Sequence, residues 1–130
     1  MSKYVGVEEL ECWFLVPIVR DSDRKKQQPI LWRLLEEALC AGFHGWSGPE
    51  KMDWFRKMEL VPGGWQPEKL NKPIRDESRK YTAFVPPTRL RNLYSFLKKV
   101  ANTFDQQEIL LCVAGRRKRI IPKPQDGFLE

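Results

Sequence analysis

Residues 81–114, YTAFVPPTRLRNLYSFLKKVANTFDQQEILLCVA, read as a strand, a helix and a second strand in immediate succession. Tyr81, Thr82, Phe84 and Val85 are strand formers, and Pro86–Pro87 end the strand because neither ring nitrogen can donate to a ladder. Thr88 follows with a hydroxyl suited to a helix N-cap. From about Arg89 to Phe104, Leu90, Leu93, Leu97, Val100, Ala101 and Phe104 recur on one stripe, while Arg91, Ser95, Lys98 and Asn102 take the other side. That spacing predicts an amphipathic helix with one buried face. Ile109–Ala114 (ILLCVA), bounded by Glu108 and Gly115, is a short apolar run and predicts a buried strand.

The N-terminal half repeats the alternation. Glu8–Val19 holds Trp13, Phe14, Val16, Ile18 and Val19, with apolar residues on both alternation faces from Leu10 onward, the pattern of a central strand. Arg20–Gln28 is a polar loop, Pro29 suits a first helical turn, and Ile30, Leu31, Leu34, Leu35, Ala38 and Leu39 form an apolar helix face that Gly42 ends. Residues 42–49, GFHGWSGP, read as a structured loop; Met52–Val61 reads as a weaker strand, with a short helix from Pro49 as its rival. Pro62-Gly63-Gly64 reads as a turn, Gln66–Lys80 as a mostly solvent-facing basic segment, and Arg79–Val85 as a strand again. The order β-α-β-β-α-β resembles the split βαβ, or ferredoxin-like, plan: an α+β domain with a four-stranded antiparallel sheet and both helices on one face. On this reading residues 1–115 form the single domain and residues 116–130 a basic C-terminal tail. The plan is shared by binding modules and enzymes, so function has to be argued from sites. The apolar character of the first strand on both faces predicts a homodimer through the open sheet face.

At 130 residues the chain suits one core, and 42% hydrophobic residues with 15 aromatics exclude disordered and collagen-like classes. The uncharged run Cys12–Val19 is far short of a membrane span and follows Glu8, Glu9 and Glu11 rather than basic residues, so it is not read as a signal peptide. Cys12, Cys40 and Cys112 are odd in number, far apart and set among apolar residues. They are read as buried free thiols in a reducing compartment, which gives a cytoplasmic expectation and no membrane partner.

Twenty-three Lys and Arg against 17 Asp and Glu give a net charge of +6. Arg116, Arg117, Lys118 and Arg119 form its densest cluster, and Lys69, Lys72, Arg75, Arg79 and Lys80 form a second. Clustered cations neutralise phosphates, so the leading expectation is a small module that binds nucleic acid, DNA or RNA, through its backbone. Tyr81, Trp65 and Trp46 are the candidate stacking platforms. The alternative is a small phosphodiesterase or nuclease-type enzyme acting on an anionic substrate. Asp21 and Asp23 would then hold a Mg²⁺, and His44, the sole histidine, would act as general acid or base. A third reading is an accessory protein-interaction subunit. No cofactor is expected under the leading reading, and no dedicated metal site. Neither G-x-x-x-x-G-K-[ST] nor a G-x-G-x-x-G after a strand is present, which removes those two nucleotide-binding modes.

Overall fold

In the computed structural model, which describes residues 6–57 and 73–130, strand β1 (Leu10–Pro17) lies at the centre of a five-stranded sheet ordered β2-β3-β1-β4-β5. The other strands are β2 (Gly45–Lys57), β3 (Pro73–Val85), β4 (Ile109–Val113) and β5 (Arg116–Ile120), and every pairing is antiparallel. Helix α1 spans Pro29–Gly42 and α2 spans Leu90–Thr103. The α+β class, the antiparallel sheet and the two helices agree with the sequence reading; the expected strand count of four does not.

Register fixes the two faces. Phe14 pairs with Tyr81 on one side and Leu111 on the other, and Cys12 pairs with Ala83 and Val113. These residues, with Val16, Val85 and Ile109, share one buried cluster with Trp32, Leu35 and Leu39 of α1 and Leu93, Leu97, Val100 and Ala101 of α2. Both helices therefore pack on the same face. Phe14 sits at its middle, its ring stacked on Tyr81 at 5.6 Å and edge-on to Phe96 at 6.3 Å. Trp13, Leu15, Leu110 and Cys112 fall on the opposite face, where the Lys80 ammonium lies 5.0 Å over the Trp13 ring.

Several local expectations are corrected. Residues 116–120 are not the start of a tail: Arg116–Ile120 is edge strand β5, paired along its length with β4. The glycine-broken stretch from Gly45 is not a loop but the beginning of β2. An edge strand tolerates Gly and Pro where a bulge interrupts pairing, and the register shifts between Ser47 and Glu50. Gly48 sits there at φ +122°, and a Cβ on it would lie 2.7 Å from the Lys80 carbonyl oxygen. Strand β3 starts at Pro73, so the C-terminal end of the segment expected to face solvent is sheet, with Asp76 and Ser78 buried. Thr88 caps nothing. Pro87–Arg89 form one 3₁₀ turn, and α2 begins at Leu90 with no side-chain cap. In α1, Ile30 is exposed and does not belong to the buried face, whereas Trp32 lies in the core between Phe104 at 4.9 Å and the Arg79 guanidinium at 4.2 Å. Cys12 and Cys112 are buried, but Cys40 is exposed. Burial, with Cys112 and Glu11 adding to it, pushes the Cys12 thiol up to about 11. The Pro62–Gly64 turn and the end of the Met52–Val61 strand lie outside the described residues.

The loop after β1 is held by charge rather than by apolar contact. Asp105, at φ 53°, accepts the Ser22 N–H at 3.0 Å and the Ser22 hydroxyl on one carboxylate oxygen, with Arg20 3.6 Å away. Asp21 accepts the Gln107 N–H at 2.8 Å, and Asp23 accepts the Lys25 N–H at 3.0 Å. Arg24 reaches the buried Asp76 at 3.1 Å and Asp21 at 3.8 Å. Two buried glutamines complete the clasp: Gln27 donates to the Phe104 carbonyl at 2.7 Å, and Gln106 donates to the Val19 carbonyl at 2.8 Å.

Two outcomes are expected. Phe14→Ala costs about 3–5 kcal/mol in a urea or guanidinium melt, because both the ring and its stacking partners lose contact. The Ser22 hydroxyl, first, then the Ser22 amide and Arg20 hold the Asp105 carboxyl below its ordinary 3.8. A carboxyl depressed in the folded state stabilises fully above the unfolded value and loses that contribution as pH falls through the folded one. The stability gap between wild type and Asp105→Asn should therefore be constant above about pH 5 and close as pH drops below the ordinary aspartate value. Denaturation series across that range measure it.

Candidate functional site

Five chain ends converge at the edge of the sheet remote from the clasp. Leu10, at the start of β1, pairs with Val85 at the end of β3, and Gly45, at the start of β2, pairs with Phe84. Helix α1 ends at Gly42, its last turn closed by the Phe43 N–H on the Leu39 carbonyl at 3.0 Å. Only Phe43 and His44 then separate α1 from β2. The fifth end is the 3₁₀ turn and first turn of α2.

The end of α1, the Phe43–His44 link and the start of α2 form an open cleft of about 340 Å³ lined by Ala38, Cys40, Ala41, Gly42, Phe43, His44, Arg89, Asn92 and Phe96. Asn92 and Phe96 stand four residues apart and so share one face of α2, and Arg89 lies in the turn just before it. Phe43 turns inward and meets the Phe96 ring edge-on at 5.4 Å, which makes the cleft's aromatic wall. Ala38, Ala41 and Gly42 leave the space that longer side chains would fill. A second hollow continues from the same Gly42, Phe43, His44, Arg89 and Asn92 toward Glu9, Phe84, Val85 and Pro86. His44, Arg89, Asn92, Glu9 and Cys40 are all exposed. The volume falls in the range of small-molecule pockets, about 300–1,000 Å³, and at its low end.

The structure separates the residues that the sequence offered as one catalytic set. His44 adjoins the Phe84 end of β3, whereas Asp21 and Asp23 follow Pro17 at the opposite end of β1, roughly seven strand residues or about 23 Å away. Both carboxylates are engaged with backbone amides of the clasp, and among the described residues no group of three His, Cys, Asp or Glu side chains stands together. Lys69 and Lys72 lie outside the described residues, and Arg75 is described as backbone only. Arg79 faces the helices over Trp32, while Lys80 faces the other way, 3.9 Å from Glu50. Tyr81 is no stacking platform: it is fully buried, and its hydroxyl donates to Glu36 at 3.4 Å. Burial pushes that hydroxyl up to about 12, the Arg79 bond opposing and the Glu36 carboxylate reinforcing the rise. Trp46 packs partly buried 6.2 Å from Tyr81, and Trp65 lies outside the described residues.

Sequence reasoning found His44 but missed its neighbours. Arg89, Asn92 and Phe96 were legible only as helix periodicity, and Glu9 only as a flank of β1. Their common end of the sheet depends on strand order.

No family model matches the chain, and no curated protein matches it. Among solved structures it is similar to a phage SAM lyase in complex with S-methyl-5′-thioadenosine, with a TM-score of 0.57 at 8% identity, over 93% of this chain and 95% of that one. The likeness is one of fold, and it overturns the nucleic-acid-binding module: the matching architecture is that of an enzyme. The basic cluster points the same way. In β5, Arg116 and Lys118 fall on the helix side, where Lys118 lies 5.5 Å over Tyr94, whereas Arg117 and Arg119 fall on the other, with Arg119 2.6 Å from Glu108. Charges divided between two faces make no single phosphate track. No helix among the described residues is long and apolar enough to cross a membrane.

Proposed function

We propose that this chain is an enzyme acting on a small nucleoside-class molecule in the cleft between the end of α1 and the start of α2. The observation that carries the reading is the cleft itself: about 340 Å³ beside an aromatic wall, with His44, Arg89 and Asn92 on one small surface. An aromatic wall suits a planar base, Asn92 offers both a donor and an acceptor to its edge, and the volume is too small for a polymer. The ligand named for the structural neighbour, S-methyl-5′-thioadenosine, has this size and composition and supports the choice of class.

S-adenosylmethionine (SAM) is the substrate to test first. Releasing S-methyl-5′-thioadenosine from it breaks the bond between sulfur and the γ-carbon of the amino-acid chain: the electron pair stays on sulfur, a base takes a proton from the adjacent β-carbon, and that C–H pair becomes the carbon–carbon double bond of the second product. The sulfonium becomes a neutral thioether, so the leaving group requires no proton. In this reading His44 is the acid–base group of the cleft, since imidazole is suited to proton transfer near neutral pH. Phe43 and Phe96 hold the base, and the small residues Ala38, Ala41 and Gly42 admit it.

The experiment is calorimetric titration with S-methyl-5′-thioadenosine, together with chromatography of SAM incubated with the protein. Saturable binding and enzyme-dependent release of the thioether are expected. Ala41→Leu should abolish binding by filling the cleft while leaving the melting temperature within a few degrees. His44→Ala should keep the binding and lose turnover by about 10²–10⁴-fold. Equal binding and turnover in Ala41→Leu would place the site elsewhere.

A further inference from the structure

The cleft continues past Phe43 and His44 into the second hollow, a narrow recess of about 20 Å³ that shares Gly42, Phe43, His44, Arg89 and Asn92 with it. The wide part is walled by the Phe43 and Phe96 rings and by Ala38 and Ala41, and His44, Arg89 and Asn92 line it as well. The narrow extension brings together Arg89, from the turn before α2, and Glu9, from the residue preceding β1. These are the two fully charged side chains of the whole groove, and they carry opposite signs. Among the described residues, neither forms an ion pair with another side chain. Elsewhere Arg20 pairs with Asp23 and Asp105, Arg24 with Asp21 and Asp76, and Arg119 with Glu108. The groove thus presents one cationic fork and one carboxylate, both available to a ligand, next to a nucleoside-sized space.

Resting on the reading of the cleft as a nucleoside site, we propose that Arg89 and Glu9 recognise the α-amino-acid end of the substrate. Arg89 takes the α-carboxylate and Glu9 the α-ammonium. A guanidinium meets a carboxylate through two parallel N–H bonds, which orients the group as well as attracting it. A carboxylate accepts from an ammonium at any of its lone pairs. The two charges of the groove sum to zero, as do those of an amino-acid zwitterion. A nucleoside carrying a phosphate instead would meet Glu9 as a like charge, so the pair also selects against nucleotides. Discrimination follows: a ligand with the amino-acid chain presents a group to each of the two charges, whereas one cut back to a methyl thioether lacks both groups.

S-adenosylhomocysteine and S-methyl-5′-thioadenosine make the test, since both carry a neutral thioether on the same nucleoside and differ in the amino-acid chain. Titration of each into wild type, Arg89→Ala and Glu9→Gln is the experiment, with thermal melts of all three proteins. Wild type should bind S-adenosylhomocysteine the more tightly. Arg89→Ala should weaken it about tenfold more than it weakens S-methyl-5′-thioadenosine, and Glu9→Gln should weaken it several-fold while leaving S-methyl-5′-thioadenosine within about twofold. Both side chains are exposed, so the melts should coincide. If both ligands weaken alike in the variants, or neither does, the assignment of Arg89 and Glu9 falls while the cleft stands. Wild type binding S-methyl-5′-thioadenosine but not S-adenosylhomocysteine has the same meaning. If wild type binds neither, the cleft reading itself is lost, and this inference with it.

Discussion

The double pairing of β1 is the constraint on which the rest depends. Its eight residues are bonded along their length to β3 and over Cys12–Leu15 to β4, and Phe14 is the point where both ladders and both helices meet. Because strand side chains alternate, this one register decides that Cys12, Phe14 and Val16 face the helices. A slip of one residue would exchange them for Trp13 and Leu15, side chains of different size and shape that do not match the packing of α1 and α2. It also decides which termini meet: the beginning of β1 is brought to the end of β3, and its end to the loop after α2.

The two ends of the sheet are built by different physics. At the clasp, arginines, aspartates and buried glutamines satisfy one another and the backbone, so polar groups are committed to structure there. At the other end α1 stops against β2 with two intervening residues, its last turns carry Ala38, Ala41 and Gly42, and space is left over. Polar side chains at that end project into the space without being consumed by it. The contrast leaves the polar groups of the His44 end more available to a ligand, because a carboxylate already accepting backbone amides has less to offer one.

Much of the fold is legible from periodicity alone. Strand β1, both helices and β4 follow from the spacing of Phe14, Leu35, Leu97 and Leu111 and their neighbours. Strand β5 is not, because Arg-Arg-Lys-Arg has no apolar alternation; its assignment comes from the Ala114–Gly115 turn that folds it back on β4, both residues at positive φ. The start of β2 is hidden for a related reason, since Gly45, Gly48 and Pro49 are poor strand formers whose cost is met at a bulge on an edge. The site is less legible still. His44 attracts notice as a unique residue, but Asp21 and Asp23 attract it equally and belong to the opposite end. Glu9 and Arg89 are eighty residues apart and become neighbours only through the antiparallel pairing of Leu10 with Val85.

The arginines of β5 also have a consequence for the behaviour of the chain in a crowded solution. An edge strand presents unpaired amides and carbonyls to any passing chain, and a short, continuously cationic edge repels a second copy of itself. The other edge, β2, is interrupted by its bulge at Gly48 and Pro49. One border of the sheet is therefore guarded by charge and the other by irregularity. The positive excess of the protein is concentrated where it resists strand-to-strand aggregation, which accounts for a basic cluster without assigning it a ligand.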